Sequence, residues 1–442
     1  MTATTEHIQP LRSREAASDS STELFESSSS GASSSADRTS AWVRGGAHHH
    51  HFAFWASALA FLFSMGLAAV PTPLYPMYAQ RDGFSDFMIT VVYAIYAVGV
   101  IAALFLAGHL SDAVGRRRIF IPALLINVVS GVIFVLIPDL ALLMVARVIS
   151  GIAVGLTTAT ATSYITELHA RHRPDAGPRR AEVVGIAANL GGIGFGPLAA
   201  GMLAQWAVLP LQLSYIIYSA VLLVLAVALA LSPETVQRPA VRQPYRPQRV
   251  AVPAEARALF FAATFVGLAA FAVFGVFNSL VPSFLAGTLH NSSHATAGVV
   301  AFVPFAAAAV AQILQSQVAP LALLRRSLPL IVIGLALFAG GMWDSSLWMF
   351  LAGGVITGAG AGMAFKGALV VTVSRAPATK KAEVLAGYFL GSYIGLSIPV
   401  IGLGIATQYW AAKDAMLVFA AIVVVAISSA VVAVNRLAAR EA

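Results

Sequence analysis

Few side chains in this sequence can do chemistry, and their isolation makes them conspicuous. Arg147 and Lys366 each sit within a long apolar run. A charge so placed is costly unless it faces a partner, a water path or the aqueous interface. A guanidinium or ammonium there can hold an anion, pair with a carboxylate or respond to protons. Arg147 lies near one end of its run, so snorkelling to the interface is the competing reading. Lys366 follows the small residues of 357–364 and could snorkel towards the other end. Three amides, Asn189, Asn278 and Gln312, also interrupt apolar stretches, and inside a bundle each needs a partner. Tyr93, Tyr96 and Tyr388 join them as polar-tipped aromatics, although most such residues only pack. No acid is central to any apolar run. Asp112, Glu167, Glu182 and Glu383 fall near one set of ends, and Asp82, Asp86, Asp139, Asp344 and Asp414 near the other. His48 to His51 could bind a transition metal weakly. No other ligand cluster lies beside them, so a polar membrane edge is the better reading. There is no cysteine, hence no disulfide or thiolate site, and no nucleophile triad or phosphate-cradling loop. The residues point away from an enzyme.

The elements that must position these residues are membrane helices. Hydrophobic residues make up 58% of the 442 and charged residues only 10%. Residues 258–324 contain no Asp, Glu, Lys or Arg. A soluble domain cannot leave so much surface uncharged. Runs long enough to cross a bilayer fall at 52–72, 87–109, 119–137, 141–165, 182–205, 211–231, 258–286, 295–318, 327–343, 347–371, 382–406 and 413–434. The third and ninth are short. The expected fold is an all-α membrane protein of twelve transmembrane helices. All but four of the 27 Lys and Arg residues fall on one side of these spans; the four are Arg81, Arg147, Lys366 and Lys413. The positive-inside rule then puts both termini in the cytoplasm, with a plasma (inner) membrane as the expected location. The net charge of +8 therefore reads as topology and not as nucleic-acid binding.

The chain divides into a serine-rich, disordered tail at 1–46, a six-helix half at 47–231, a linker at 232–257 rich in Arg and Pro, a second six-helix half at 258–434 and a short tail at 435–442. Arg179-Arg180-Ala181-Glu182-Val183 opens span five, and Lys380-Lys381-Ala382-Glu383-Val384 opens span eleven. This repeat in equivalent places supports a duplicated, pseudo-symmetric fold.

The loop after span two reads Gly108-His109-Leu110-Ser111-Asp112-Ala113-Val114-Gly115-Arg116-Arg117-Arg118. Here the chain resembles the major facilitator superfamily of secondary transporters, matching its loop signature at Gly108, Leu110, Asp112, Gly115, Arg116 and Arg117. The resemblance implies that Asp112 gates contact between the two halves. The second-half loop, Ala319 to Arg326, keeps only its basic end. In span four, Arg147 followed by Gly151 and Gly155 resembles an Arg-x-x-x-Gly pattern associated with proton-linked members. Gly151 and Gly155 themselves read as helix-packing residues. In span five, Gly192, Gly196, Pro197 and Gly201 resemble the glycine-proline motif of the antiporter branch, with Ala200 where a glycine is expected. Pro197 should bend that helix.

The resemblance implies alternating access: two halves rock about a central cavity and export a small organic or drug-like solute, by proton antiport, as a monomer with no bound cofactor. A proton-coupled importer is the nearest alternative, and a non-transporting receptor or scaffold the next. Glu167 is expected to pair with Arg116 or Arg117. The coupling acid that many relatives carry near span one is missing.

Overall fold

The computed structural model describes residues 29–136, 139–236, 252, 254–377 and 380–440. It forms two compact units, Met1–His48 and His49–Ala442, and apart from the start of α1 everything below concerns the second. The helices are α1 Ser29–Ala69, α2 Tyr75–Asp82, α3 Asp86–Ala107, α4 Leu110–Val114, α5 Arg116–Leu136, α6 Leu140–His172, α7 Arg179–Trp206, α8 Leu213–Ala230, α9 Arg257–Ser279, α10 Val281–Gly287, α11 His294–Leu314, α12 Pro320–Trp343, α13 Leu347–Ser374, α14 Lys381–Tyr409 and α15 Ala412–Arg440. Among the described residues, twelve spans are long and apolar enough to cross a bilayer, α1 and α2 contributing jointly to the first. A ring of exposed apolar side chains, such as Val224 at 69%, Ile422 at 62% and Val425 at 69%, faces outward. In water such a surface would aggregate; against lipid tails it is solvated.

Local chemistry sets where the helices start and stop. The carboxylate of Asp139 accepts from the Leu142 N–H at 2.9 Å, capping α6. Ser293 caps α11 by accepting from Thr296 N–H at 3.2 Å. Gly83 ends α2 in the left-handed region, φ 72°. Pro71, Pro73 and Pro76 lack backbone donors and break the first span between α1 and α2, where Thr72–Leu74 form a single 3₁₀ turn.

The span boundaries expected from sequence differ from these in several places, among them the end of α6 at His172 instead of 165 and the break between α9 and α10. α12 starts at Pro320 and not at 327. Proline suits the first helical turn, and the helix then carries Arg325 and Arg326, which hydropathy places in a loop. α15 runs to Arg440, taking in most of the expected C-terminal tail, and α1 begins at Ser29, within the tail for which no regular structure is expected. Once a helix is nucleated, extending it costs little. The first half also reaches beyond 231. Ser232 and Thr235 are buried against it, so the beginning of the expected linker belongs to the bundle. Residues 1–28 and 237–251 lie outside the described residues.

Close helix crossings depend on glycine. A Cβ on Gly151 would lie 2.1 Å from the Tyr96 carbonyl oxygen, and one on Gly155 2.7 Å from the Ala103 Cβ, so α3 and α6 approach closely there. Asn127 is absorbed into the first half's core, where its amide donates to the Ser64 carbonyl at 2.9 Å and to Ser64 Oγ at 3.0 Å.

Candidate functional site: a cavity between the halves

A cavity of about 550 Å³ lies between the two sets of six spans. One end is marked by Gly108, His109, Asp112, Arg116 and Glu182, the other by Thr72, Arg147 and Asn278. The first is called the basic end here, since the Arg-rich loops gather on it.

The two walls differ. The second half supplies an aromatic face: Phe274 stacks on Phe305 with ring centroids 4.9 Å apart, and Phe271 meets Phe365 at 4.9 Å and Tyr393 at 5.4 Å. The first half supplies most of the polar groups, among them Tyr93, Tyr96, Thr158, Asn189 and Arg147. The structure thus brings Asn189, Asn278, Gln312, Tyr93, Tyr96 and Arg147 into one cavity. It leaves Tyr388 out. That ring is buried behind the wall, and its hydroxyl donates to the Phe365 carbonyl at 2.9 Å.

Arg147 does not snorkel. It is 2% exposed, donates to the Ala68 carbonyl at 2.6 Å, and lies over Tyr96 at 4.5 Å and Tyr93 at 5.7 Å. Aromatic faces attract a guanidinium. Its Nε is buried with no acceptor.

Lys366 resolves differently. Its ammonium donates to Glu182 Oε1 at 2.7 Å and to the Gln312 carbonyl at 3.3 Å, while the Gln312 amide donates to the Gly362 carbonyl at 2.9 Å. The Lys366–Glu182 pair joins α13 of the second half to α7 of the first. In the sequence Glu182 reads only as an acid near an inner edge, because its partner is far away along the chain.

At the basic end, Arg116 organises the signature loop. Its guanidinium bonds Ser111 Oγ at 2.8 Å and Glu167 Oε1 at 3.0 and 3.1 Å, and forms an ion pair with Asp112 at 2.5 Å. Glu167 therefore pairs with Arg116. Arg117 is spoken for elsewhere, donating to the carbonyls of Ala230 and Ser232 at the end of α8 at 3.1 and 2.7 Å, where a cation suits the helix C-terminus. Glu234, inconspicuous in the sequence, accepts from the Arg116 backbone N–H at 2.9 Å and the Thr235 N–H at 3.0 Å. It anchors the start of α5. Thr235 Oγ1 donates to Glu167 Oε2 at 2.5 Å, and Tyr164 holds the Pro233 carbonyl at 2.6 Å. Asp112 is 62% exposed at its side chain, and its ion pair lies within its own half.

At the far end the halves meet. Thr72 Oγ1 donates to Asn278 at its carbonyl, 3.2 Å, and its side-chain oxygen, 3.3 Å. Gln205 Oε1 accepts from the His294 N–H at 2.9 Å. A Cβ on Gly201 would stand 2.4 Å from the His294 carbonyl, so α7 and α11 touch there. Ser397 of α14 reaches the Ala94 carbonyl of α3 at 3.4 Å. The halves thus touch at this end, while Gly108, His109, Asp112, Arg116 and Glu182 line the cavity at the basic end.

The glycines of α7 divide between two neighbours. Gly192 and Gly196 press on α1, with a Cβ on Gly196 placed 2.2 Å from the Gly66 carbonyl, while Gly194 and Gly201 face α11. The helix continues unbroken through Pro197. His51 accepts from Trp55 Nε1 at 3.2 Å, and among the described residues no three His, Asp or Glu side chains converge as a metal would require.

The sequence profile of the Major Facilitator Superfamily matches residues 57–343. Among curated proteins, the chain is 33% identical over 150 residues to the "Uncharacterized MFS-type transporter YfkF" of Bacillus subtilis (strain 168), covering 33% of this chain and 37% of that one. It is 34% identical over 83 residues to the "Arabinose-proton symporter" of the same organism, covering 19% and 18%. The matched stretches thus span well under half of either relative. Among solved structures, a point mutant of the nucleoside transporter NupG superposes with a TM-score of 0.65 at 13% identity, over 86% of this chain and 99% of that one, a likeness of fold.

Proposed function

The chain belongs to the Major Facilitator Superfamily, and from that premise we propose that it exports a small organic solute by proton antiport. Family membership makes it a multi-pass secondary transporter of a small solute and not a catalytic enzyme. Direction and coupling are the proposal.

The observation that carries it is the cavity, bridged at the far end by the contact of Thr72 with Asn278 and lined at the basic end by the signature loop. The positive-inside rule assigns the basic end to the cytoplasm, so this conformation loads from inside the cell. The glycine-proline pattern of α7 supports export. In alternating access the basic end then closes, bringing the Asp112 loop against the second half, while the contact of Thr72 with Asn278 opens.

Coupling needs a group whose protonation changes the balance between states. Glu182 fits. It lines the mouth together with His109, Asp112 and Arg116, and it faces the Lys366 ammonium across the halves. A proton on Glu182 removes one charge of that pair and loosens the brace. Solute and proton thus act on the same opening, as antiport requires.

Flux in sealed vesicles with an imposed pH gradient tests this reading. Export predicts gradient-driven movement of solute that starts on the basic side, and loss of the gradient dependence in Lys366→Ala and Glu182→Gln. Asp112→Asn is expected to slow flux in both directions. Movement only of solute that starts on the far side would establish import instead, the reading favoured by the likeness to the Arabinose-proton symporter.

A further inference from the structure

We propose that the far end of the cavity is an anion subsite, and that the transported solute is an aromatic or apolar molecule carrying one carboxylate-like group, which Arg147 holds. This rests on reading the cavity as the solute's cavity and goes on to name the class of solute.

Arg147 is 2% exposed, yet among the described residues no carboxylate lies within ion-pair distance of it. Its one hydrogen bond to a neighbour goes to a carbonyl, and its Nε has no acceptor at all. A guanidinium has five donors in a planar fork. A buried Nε without an acceptor is costly, and an anion in the cavity would add charge-assisted hydrogen bonds to the guanidinium. The side chain lines the cavity, so a solute can reach it.

The acids that line or flank the cavity are too far away to serve. Glu167 lies on the same unbroken helix as Arg147, about 30 Å along it at helical rise. Asp112 and Glu182 stand at the basic end, each already paired. The deep part of the cavity therefore has a positive charge and no negative one among the described residues. A cationic solute would meet Arg147 uncompensated, whereas an anionic one would neutralise it.

The opposite wall determines the rest of the molecule. Phe271, Phe274, Phe305 and Tyr393 present ring faces and edges across the cavity. Rings and alkyl groups pack well there, and a sugar-like surface of hydroxyls would leave donors unmet. Asn278 and Thr72 add neutral polar groups at the same end. A volume of about 550 Å³ suits a drug-sized solute.

Calorimetric titration of the full chain in phosphatidylcholine nanodiscs, which contain no anionic lipid, tests the subsite with three probes of one shape: 2-naphthoate, 2-naphthamide and 2-naphthylmethylamine. The wild type should bind the acid roughly tenfold or more tighter than the amide, the range expected of a charge-assisted contact. The amine should be weakest. Arg147→Gln should abolish the preference for the acid. Arg147→Lys should retain a reduced one, since an ammonium keeps the charge and loses the fork. Arg325→Gln, a cation outside the cavity lining that bonds Asn435, should leave the preference unchanged. Equal binding of all three probes by the wild type, a preference for the amine, or full preference for the acid in Arg147→Gln would overturn the assignment. Should Arg147→Gln not fold, the wild-type series and the Lys variant decide. Binding is read without any gradient, so failure of proton-driven export would leave the acid preference standing. Loss of that preference would leave export measurable with other solutes.

Discussion

At the scale of single residues, the signature loop is held by more than its own spacing. Gly115 has φ 121°, a region that L side chains rarely adopt, and a Cβ there would stand 2.4 Å from Glu234 Oε2. Two demands therefore converge on one glycine, a backbone shape and room for the carboxylate that anchors α5. Gly115→Ala should destabilise the protein by about 1–3 kcal/mol from backbone strain alone, visible as a drop of several degrees in thermal unfolding. An unchanged melting temperature would show that the loop relaxes freely. Arg116 answers Ser111, Asp112 and Glu167 at once, whereas Glu167 answers Arg116 and Thr235. Arg116→Gln should therefore cost more stability and flux than Glu167→Gln. Exchanging the two charges should rescue poorly, because a glutamate at 116 would then face Asp112. Better survival of Arg116→Gln than of Glu167→Gln, in the same melts and flux assays, would contradict this ordering. The loop itself could be read from residue types and spacing. Glu234 could not, because it lies 118 residues from the backbone N–H it caps, in a stretch that composition marks only as spacer.

At the scale of elements, hydropathy located all twelve spans, since a bilayer demands a fixed length of apolar helix whatever the tertiary contacts. It erred where a helix includes charges, as α12 does at Arg325 and Arg326. Periodicity could show that α7 is rich in glycine but not which neighbour each glycine meets. That depends on packing, and the structure assigns Gly196 to α1 and Gly201 to α11. The two positions should consequently behave differently. Gly196→Ala forces a methyl group into the Gly66 carbonyl within one half and should cost roughly 1–3 kcal/mol of stability by overpacking. Gly201→Ala works between the halves at the closed end. It should shift the protein towards the state open at that end with a smaller change in unfolding. The chain has no native cysteine, so Asn278→Cys provides a unique reporter. Its rate of alkylation by a membrane-impermeant reagent from the far side should rise several-fold with Gly201→Ala and stay unchanged with Gly196→Ala. Equal effects of both glycine substitutions would mean that α7 responds as one rigid rod.

At the scale of the whole molecule, the two halves touch unequally. Along α7 and α11 they are joined at the far end by Gly201, Gln205 and His294, and towards the basic end by the Glu182–Lys366 pair on α7 and α13. Along α3 and α14 the contacts of Ser397 with Ala94 and of Gly404 with Thr90 lie at the far end, and the signature loop below them lines the cavity. Such an arrangement gives Thr72 and Asn278 a specific place in the cycle, since their hydrogen bonds must break before the far end can open. Joining Thr72→Cys to Asn278→Cys with a short bifunctional thiol reagent should hold the protein in the conformation described here. Solute should still bind from the basic side, more weakly than to the unmodified protein, because the cross-link leaves Arg147 in place but replaces two polar groups of the cavity lining. Net flux should fall at least tenfold and recover when a cleavable linker is reduced. Flux that survives the cross-link would mean the far end opens without separating these residues. Complete loss of binding together with flux would mean that the cross-link disrupts the subsite itself and not only the gate.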